Sequence, residues 1–223
     1  LDKFIQKYHL GGEVNSVKWS SDGKALSTSF VTANKSLLGR LKMDNFPLEK
    51  IDLGIYKTKE LKSMMSVLND DVDIEIKKSD DRAYYLTMKN GTISMDYVLS
   101  DLTVIPDPPA LKQLPDFNVK LKLDANFIDK FIKAKSALTD VDTFTVLNGS
   151  GDIDVVVGYA SSTHTNRVSI SAKSEGTLTD KISFNANLFK EVLVVDCSQG
   201  SSLYYVNNKG TTFIVIKTKE WYI

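Results

Sequence analysis

Leu1-Asp2-Lys3-Phe4-Ile5 returns 127 positions later as Ile128-Asp129-Lys130-Phe131-Ile132, and the same shift then holds without a gap. Glu13-Val14-Asn15-Ser16-Val17 falls on Asp140-Val141-Asp142-Thr143-Phe144. Leu26, Thr28 and Phe30 fall on Ile153, Val155 and Val157, and Arg40 falls on Arg167. After small changes in the shift, Tyr56, Leu61, Lys62, Met64 and Met65 meet Phe184, Phe189, Lys190, Val192 and Leu193. A repeat this long makes the chain two similar halves, each a structural unit of its own.

Within each half the pattern predicts a helix, several strands, a second helix and more strands. Phe4, Ile5 and Tyr8 mark one buried helical face, as do Leu61, Met64, Met65 and Leu68. Their counterparts are Phe127, Ile128, Phe131 and Ile132, then Leu188, Phe189, Val192 and Leu193. Strands alternate with period two in Val14–Trp19, Val72–Ile76, Tyr85–Met88 and Phe213–Ile216. Ser21-Asp22-Gly23, Lys89-Asn90-Gly91, Asn148-Gly149-Ser150-Gly151 and Asn207-Asn208-Lys209-Gly210 are turn signals between them. Two helices laid on largely antiparallel sheets make an α+β unit, twice over.

The segment from Thr103 to Phe117 holds four of the five prolines and predicts a semi-rigid connector. The expected division is therefore residues 1–102, a connector 103–117, and residues 118–223. Val119, Leu121 and Leu123 predict a strand ahead of the helix at 124–138. The numbering starts at the equivalent helix of the first half, so the repeat predicts a further strand upstream of Leu1.

The 223 residues are 42% hydrophobic and 25% charged, as expected for globular units with cores of their own. Twenty-eight basic and 28 acidic residues cancel, so attraction to a polyanion would have to come from segregated charge. Such a bias is present on the helices. Their polar faces carry Lys3 and Lys7, Lys59 and Lys62, Lys130 and Lys133, and Lys190, while acids gather at turns such as Asp70-Asp71 and Asp80-Asp81. Lysine is also an ordinary exposed helix residue, so each helix alone says little. No apolar run approaches the roughly 20 residues of a membrane-spanning helix, and the single cysteine, Cys197, cannot form a disulfide within the chain.

The duplicated units, the lysine-bearing helices, the proline-rich connector and the run Leu53-Gly54-Ile55-Tyr56 through Leu68-Asn69-Asp70-Asp71-Val72-Asp73-Ile74 resemble the DNA polymerase sliding clamps of T-even-type bacteriophages. Those clamps are related in fold to proliferating cell nuclear antigen. The resemblance extends over nearly the whole chain. It implies a DNA clamp fold and a pseudo-sixfold homotrimeric ring around double-stranded DNA, bound without regard to sequence. It also implies partners: a DNA polymerase served in processive replication, a clamp loader, and the machinery of late transcription. The setting it implies is the cytoplasm of the infected host cell.

By this resemblance Lys3, Lys7, Lys59, Lys62, Lys130, Lys133 and Lys190 face the central hole. Lysine suits such work, since a flexible point charge meets phosphate without reading bases. Ile93, Met95, Tyr97 and Leu99 on one edge strand and Arg167, Val168 and Ile170 on another would pair across subunits. Met43, Phe46, Leu111, Leu114, Trp221 and Tyr222 would form an apolar pocket for partner peptides.

Two other functions fit the residues: a monomeric DNA-binding replication accessory, and a small-molecule enzyme on a duplicated scaffold. Enzymatic signals are weak. His9 and His164 lack the spacing of a metal pair, Cys197 has no CxxC partner, and Gly149-Ser150-Gly151 lacks both the nucleophile elbow and the phosphate-loop lysine. The sequence predicts no catalytic residue, no metal and no cofactor.

Overall fold

The computed structural model describes residues 1–68, 72–80, 82–109, 115–161, 165–194, 202–206, 209–210, 212–215, 217–218 and 221–222. Two compact units emerge, Leu1–Ala110 and Leu111–Ile223, and the division falls inside the expected connector. Its first part belongs to the first unit. Asp101 caps a short 3-10 turn at Leu102–Val104 by accepting from the Thr103 N–H, Ile105 is buried, and Lys18 meets Asp107 at 2.6 Å.

The first unit runs α1 (Asp2–His9), β1 (Val17–Ser21), β2 (Leu26–Val31), β3 (Leu38–Met43), β4 (Ile51–Ile55), α2 (Thr58–Met65), β5 (Asp73–Ser79), β6 (Arg82–Asn90) and β7 (Ile93–Val98). Strands β3-β2-β1-β4 form one antiparallel sheet and β5-β6-β7 another. The predicted turns close the hairpins. Asp22 Oδ1 accepts from the N–H groups of Lys24 and Ala25, and Gly23 and Gly91 take the positive φ that favours glycine. Phe4 and Tyr8 on α1 meet Trp19 on β1 edge-on at centroid distances of 5.8 and 6.5 Å. Phe30 on β2 packs against Tyr8.

The second unit runs β8 (Val119–Leu123), α3 (Ala125–Ala137), β9 (Thr143–Asn148), β10 (Ile153–Val157), β11 (Val168–Ala172), β12 (Ser174–Gly176), β13 (Ile182–Asn185), α4 (Ala186–Val194), β14 (Ser202–Val206), β15 (Thr212–Val215), β16 (Lys217–Thr218) and β17 (Trp221–Tyr222). Its sheets are β11-β10-β9-β13 and β12-β8-β14-β15, and β16 pairs with β17. Asp124 caps α3 by accepting from the Phe127 N–H at 2.8 Å. Phe131, Phe144, Phe184, Phe189 and Tyr204 form its aromatic core, with Phe144 stacked on Phe189 at 4.7 Å.

The repeat seen in sequence is a repeat of strand register. Trp19 lies opposite Thr28 in the first unit, and Val146 lies opposite Val155 in the second, each pair 127 positions on. The second helices dock identically: the Thr58 N–H donates to Asn15 O at 2.9 Å, and the Ala186 N–H donates to Asp142 O at 2.8 Å. Two pairings need correction. Ser29 faces Arg40 and its counterpart Val156 faces Ser169, so Ser169, not Arg167, is the counterpart of Arg40. Val17 faces Ile55 and Phe144 faces Phe184, so Ile55, not Tyr56, is the counterpart of Phe184. A one-residue step flips a strand side chain to the other face, and Tyr56 is accordingly 51% exposed.

Candidate nucleic-acid interface

Within each unit the two helices pack side by side, α1 on α2 and α3 on α4. Contacts of α1 with β3, and of α3 with β10 and β11, hold the pairs on the four-stranded sheets, so their polar faces form one surface per unit. Lys3, Lys59, Lys130 and Lys133 are exposed there, and Lys62 and Lys190 are partly so.

Lys7 is the exception. It is 2% exposed and does not present its charge on that surface. The signal was in the sequence: Lys7 stands three residues after Phe4 and one before Tyr8, inside the apolar arc, and its counterpart Ala134 is buried as well. Lys135 shares that arc, and its buried ammonium donates to the carbonyls of Leu138 and Thr139 at 3.4 and 3.0 Å. Both are long stems packed against the core.

The remaining lysines differ in how they are committed. Several strand and loop cations are paired: Lys77 with Asp96, Lys78 with Glu49, Lys89 with Glu75, Lys42 with Asp44, Arg82 with Asp101 and Lys120 with Glu175. Three of the helix acids are engaged locally: Asp2 accepts from Gln6, Glu60 pairs with Lys57, and Asp129 pairs with Lys133. Lys190 donates to Ser136 across the α3–α4 contact. Lys3, Lys59, Lys62 and Lys130 make no ion pair with any described residue. The helix faces therefore carry cations that no acid among the described residues neutralises, as do strands and loops at Lys24, Lys35, Lys50, Lys122 and Lys173.

The two predicted edge strands are edges of their own sheets, β7 in β5-β6-β7 and β11 in β11-β10-β9-β13. Tyr97, Leu99 and Ile170 are buried within their own units and Ile93, Met95 and Val168 are half-buried, whereas Val98 on β7 is exposed. Arg167 is exposed. Tyr97 also has an internal task, accepting from the Lys57 N–H at 3.0 Å, and burial pushes its hydroxyl pKa up.

The expected peptide pocket is described only in part. Met43 is buried and Phe46 is half-buried. Leu111 and Leu114 lie outside the described residues, as do Asn69, Asp70 and Asp71 of the diagnostic run, His164 and Cys197. Trp221 and Tyr222 form β17, with side chains outside the description. Among the described residues, no cluster of three or more His, Cys, Asp or Glu is placed to hold a metal, and no helix is long and apolar enough to cross a membrane.

A helix pair on the sheets of each of two antiparallel α+β units is the DNA clamp fold. No family model and no curated protein matches the sequence. Solved clamps match it in structure. A. fulgidus PCNA, bound to the C-terminal region of FEN-1, superposes with a TM-score of 0.75 at 14% identity, over 100% of this chain and 93% of that one. Proliferating cellular nuclear antigen from Entamoeba histolytica gives 0.71 at 12% identity with the same coverage. The PCNA2–PCNA3 complex from Sulfolobus tokodaii gives 0.68 at 12%, over 100% and 95%.

Proposed function

We propose that the chain is a DNA sliding clamp: a homotrimeric ring that encircles duplex DNA and tethers a polymerase for processive synthesis. The observation that carries this reading is the match of the whole chain, both units included, to two-domain clamps. With the four α-helices among the described residues, three copies would line a ring with twelve. Head-to-tail closure would join the open edge of β7 on one copy to the open edge of β11 on the next, a heterologous contact that closes. It would also cover two edges that otherwise invite unwanted pairing.

The uncommitted helix lysines supply the DNA contact in this reading. They contact phosphates collectively and leave bases unread, which lets a ring slide without sequence traps. The residue run at 53–56 and 68–74 favours a clamp of the T-even phage type, serving replication and late transcription with a loader in an infected cell. A tail peptide of the polymerase is the proposed occupant of an apolar pocket that includes Phe46.

The test is a charge reversal of Lys3, Lys59, Lys62 and Lys130 to glutamate. We expect retention on DNA and polymerase stimulation to fall at least tenfold, with a shallower salt dependence and unchanged folding. Full stimulation by the fourfold variant would refute the assignment of this face.

A further inference from the structure

Where β4 passes into α2, the first unit is one residue longer than the second. Ile55 matches Phe184 in strand register, and the Thr58 N–H matches the Ala186 N–H in helix docking. Tyr56 and Lys57 fill the interval in the first unit, Asn185 alone in the second. The second unit uses its residue for stability, since Asn185 Oδ1 accepts from the Leu188 N–H at 2.8 Å and caps α4. Lys57 makes no such cap, and Tyr56 is turned out to solvent, 51% exposed. Among the described residues the Tyr56 ring meets no other aromatic ring and its hydroxyl has no hydrogen-bond partner.

A cavity of about 700 Å³ opens beside this ring, lined by Asn15 and Ser16 ahead of β1 and by Tyr56, Lys57, Lys59 and Glu60. The Glu60 carboxylate is occupied by Lys57 at 3.4 Å, which leaves Lys59 as the unneutralised charge of the cavity. Every lining side chain other than Tyr56 is polar or charged, so an apolar peptide would find no second apolar contact here. An aromatic face, an ammonium group and an amide with a hydroxyl are the chemistry that holds a nucleotide whose base is unpaired.

We propose that this cavity is a subsite for single-stranded DNA, holding one unpaired base against Tyr56 and the adjoining phosphate at Lys59. Every base has a π-face, so stacking holds the strand without reading its sequence. The Lys59 ammonium meets phosphate as a point charge. A base inside a closed duplex already stacks on its neighbours and cannot take the ring, so the site favours single over double strands. Lys59 stands on the same helix as Lys62, so a strand leaving the cavity continues over positive charge. The subsite is complete within the first unit and does not depend on a ring around duplex DNA.

The test titrates fluorescein-labelled oligo(dT) against the unaltered protein, Tyr56→Ala and Tyr56→Phe, with retention on a closed duplex circle as the reference. Tyr56→Ala should weaken oligo(dT) binding between about fivefold and a hundredfold, the effect of one stacked base. Its melting temperature, sedimentation mass and duplex retention should stay unchanged. Tyr56→Phe keeps the ring and should bind like the unaltered protein. Equal affinity in all three proteins overturns the proposal, as does no measurable binding of oligo(dT) to the unaltered one. A Phe variant as weak as the Ala variant overturns stacking as the mode of contact. If Tyr56→Ala loses duplex retention to the same extent, or lowers the mass, the residue belongs to a duplex or subunit contact and the proposal falls. Oligo(dT) held through Tyr56 by a protein that is not retained on the circle refutes the clamp reading and supports the subsite.

Discussion

The first unit's four-stranded sheet and the second's share the register of their central hairpins and their helix docking, yet they fill their cores with different residues at the same places. Val17 and Trp19 on β1 correspond to Phe144 and Val146 on β9, all four buried. The large ring has moved two positions along the same face of the strand. Leu61 on α2 becomes Phe189 on α4, while Phe30 on β2 becomes Val157 on β10. Aromatic bulk has been exchanged between neighbouring positions with the pattern of inward residues unchanged, the kind of repacking cores tolerate. The duplicated feature is the geometry that places a helix pair on a sheet. The second sheets differ among the described residues: β8 pairs with both β12 and β14, whereas β5 pairs with β6 alone.

The largest expected effect tests that difference in closure. Leu121→Ala empties a fully buried position on β8 and should cost about 2–5 kcal/mol. Ile74→Ala on half-buried β5 should cost about 1 kcal/mol, because less apolar surface leaves water there on folding. Urea unfolding followed by amide exchange in each unit compares the two; equal costs would mean that β5 is as well covered as β8.

A smaller effect separates the paired strands. Phe30 lies opposite Gly39 on β3, whereas Val157 lies opposite Val168 on β11. A Cβ built on Gly39 would come within 2.1 Å of the Phe30 ring, so the glycine is the space the ring occupies. Gly39→Ala should destabilise the first unit by about 1–3 kcal/mol through displacement of that ring. A Phe30→Val, Gly39→Val double variant, which imports the second unit's pair, should cost less than the sum of its single changes.

Both units should weaken in alkali. Burial raises the hydroxyl pKa of Tyr8 and Tyr97 in the first unit and of Tyr204 in the second above the ordinary 10.0. Their contribution is complete below the unfolded pKa and is lost as pH rises beyond it, because the unfolded chain ionises first. The exposed tyrosines should ionise first, and the last part of the tyrosinate absorbance should appear together with unfolding above about pH 10. Ionisation of all tyrosines before any loss of structure would contradict this.

The smallest effect lies on the outer face of β5-β6-β7. The Thr87 hydroxyl and then the Lys77 ammonium hold the Asp96 carboxyl below its ordinary value. The contribution is present above the unfolded pKa and is lost as pH falls through the folded one. Thr87→Val should raise the Asp96 pKa in an NMR titration, and an unchanged pKa would remove Thr87 as the main cause.

Much of this was legible in the sequence because register is periodic and periodicity survives substitution. The 127-residue shift located the hairpins β1-β2 and β9-β10, and the lysine bias marked the helix faces. Other features were not legible without packing. Lys7 looks like a surface residue by type, and only its neighbours Phe4 and Tyr8 reveal the arc it belongs to. Tyr56 was misplaced because one extra residue, Lys57, separates β4 from α2 relative to the second unit, a slip that hydrophobic pattern alone does not resolve. Which lysines are neutralised depends on contacts far apart in sequence, such as Lys78 with Glu49, and these appear only in the folded chain.

The central claim is the ring, and its most direct test is the mass of the protein in solution. Sedimentation at micromolar concentration should give three times the 24.8 kDa of one chain, and disruption of the β7 edge by Val98→Pro should reduce it to a folded single chain. A single-chain mass for the unaltered protein across a wide range of concentration would contradict the account.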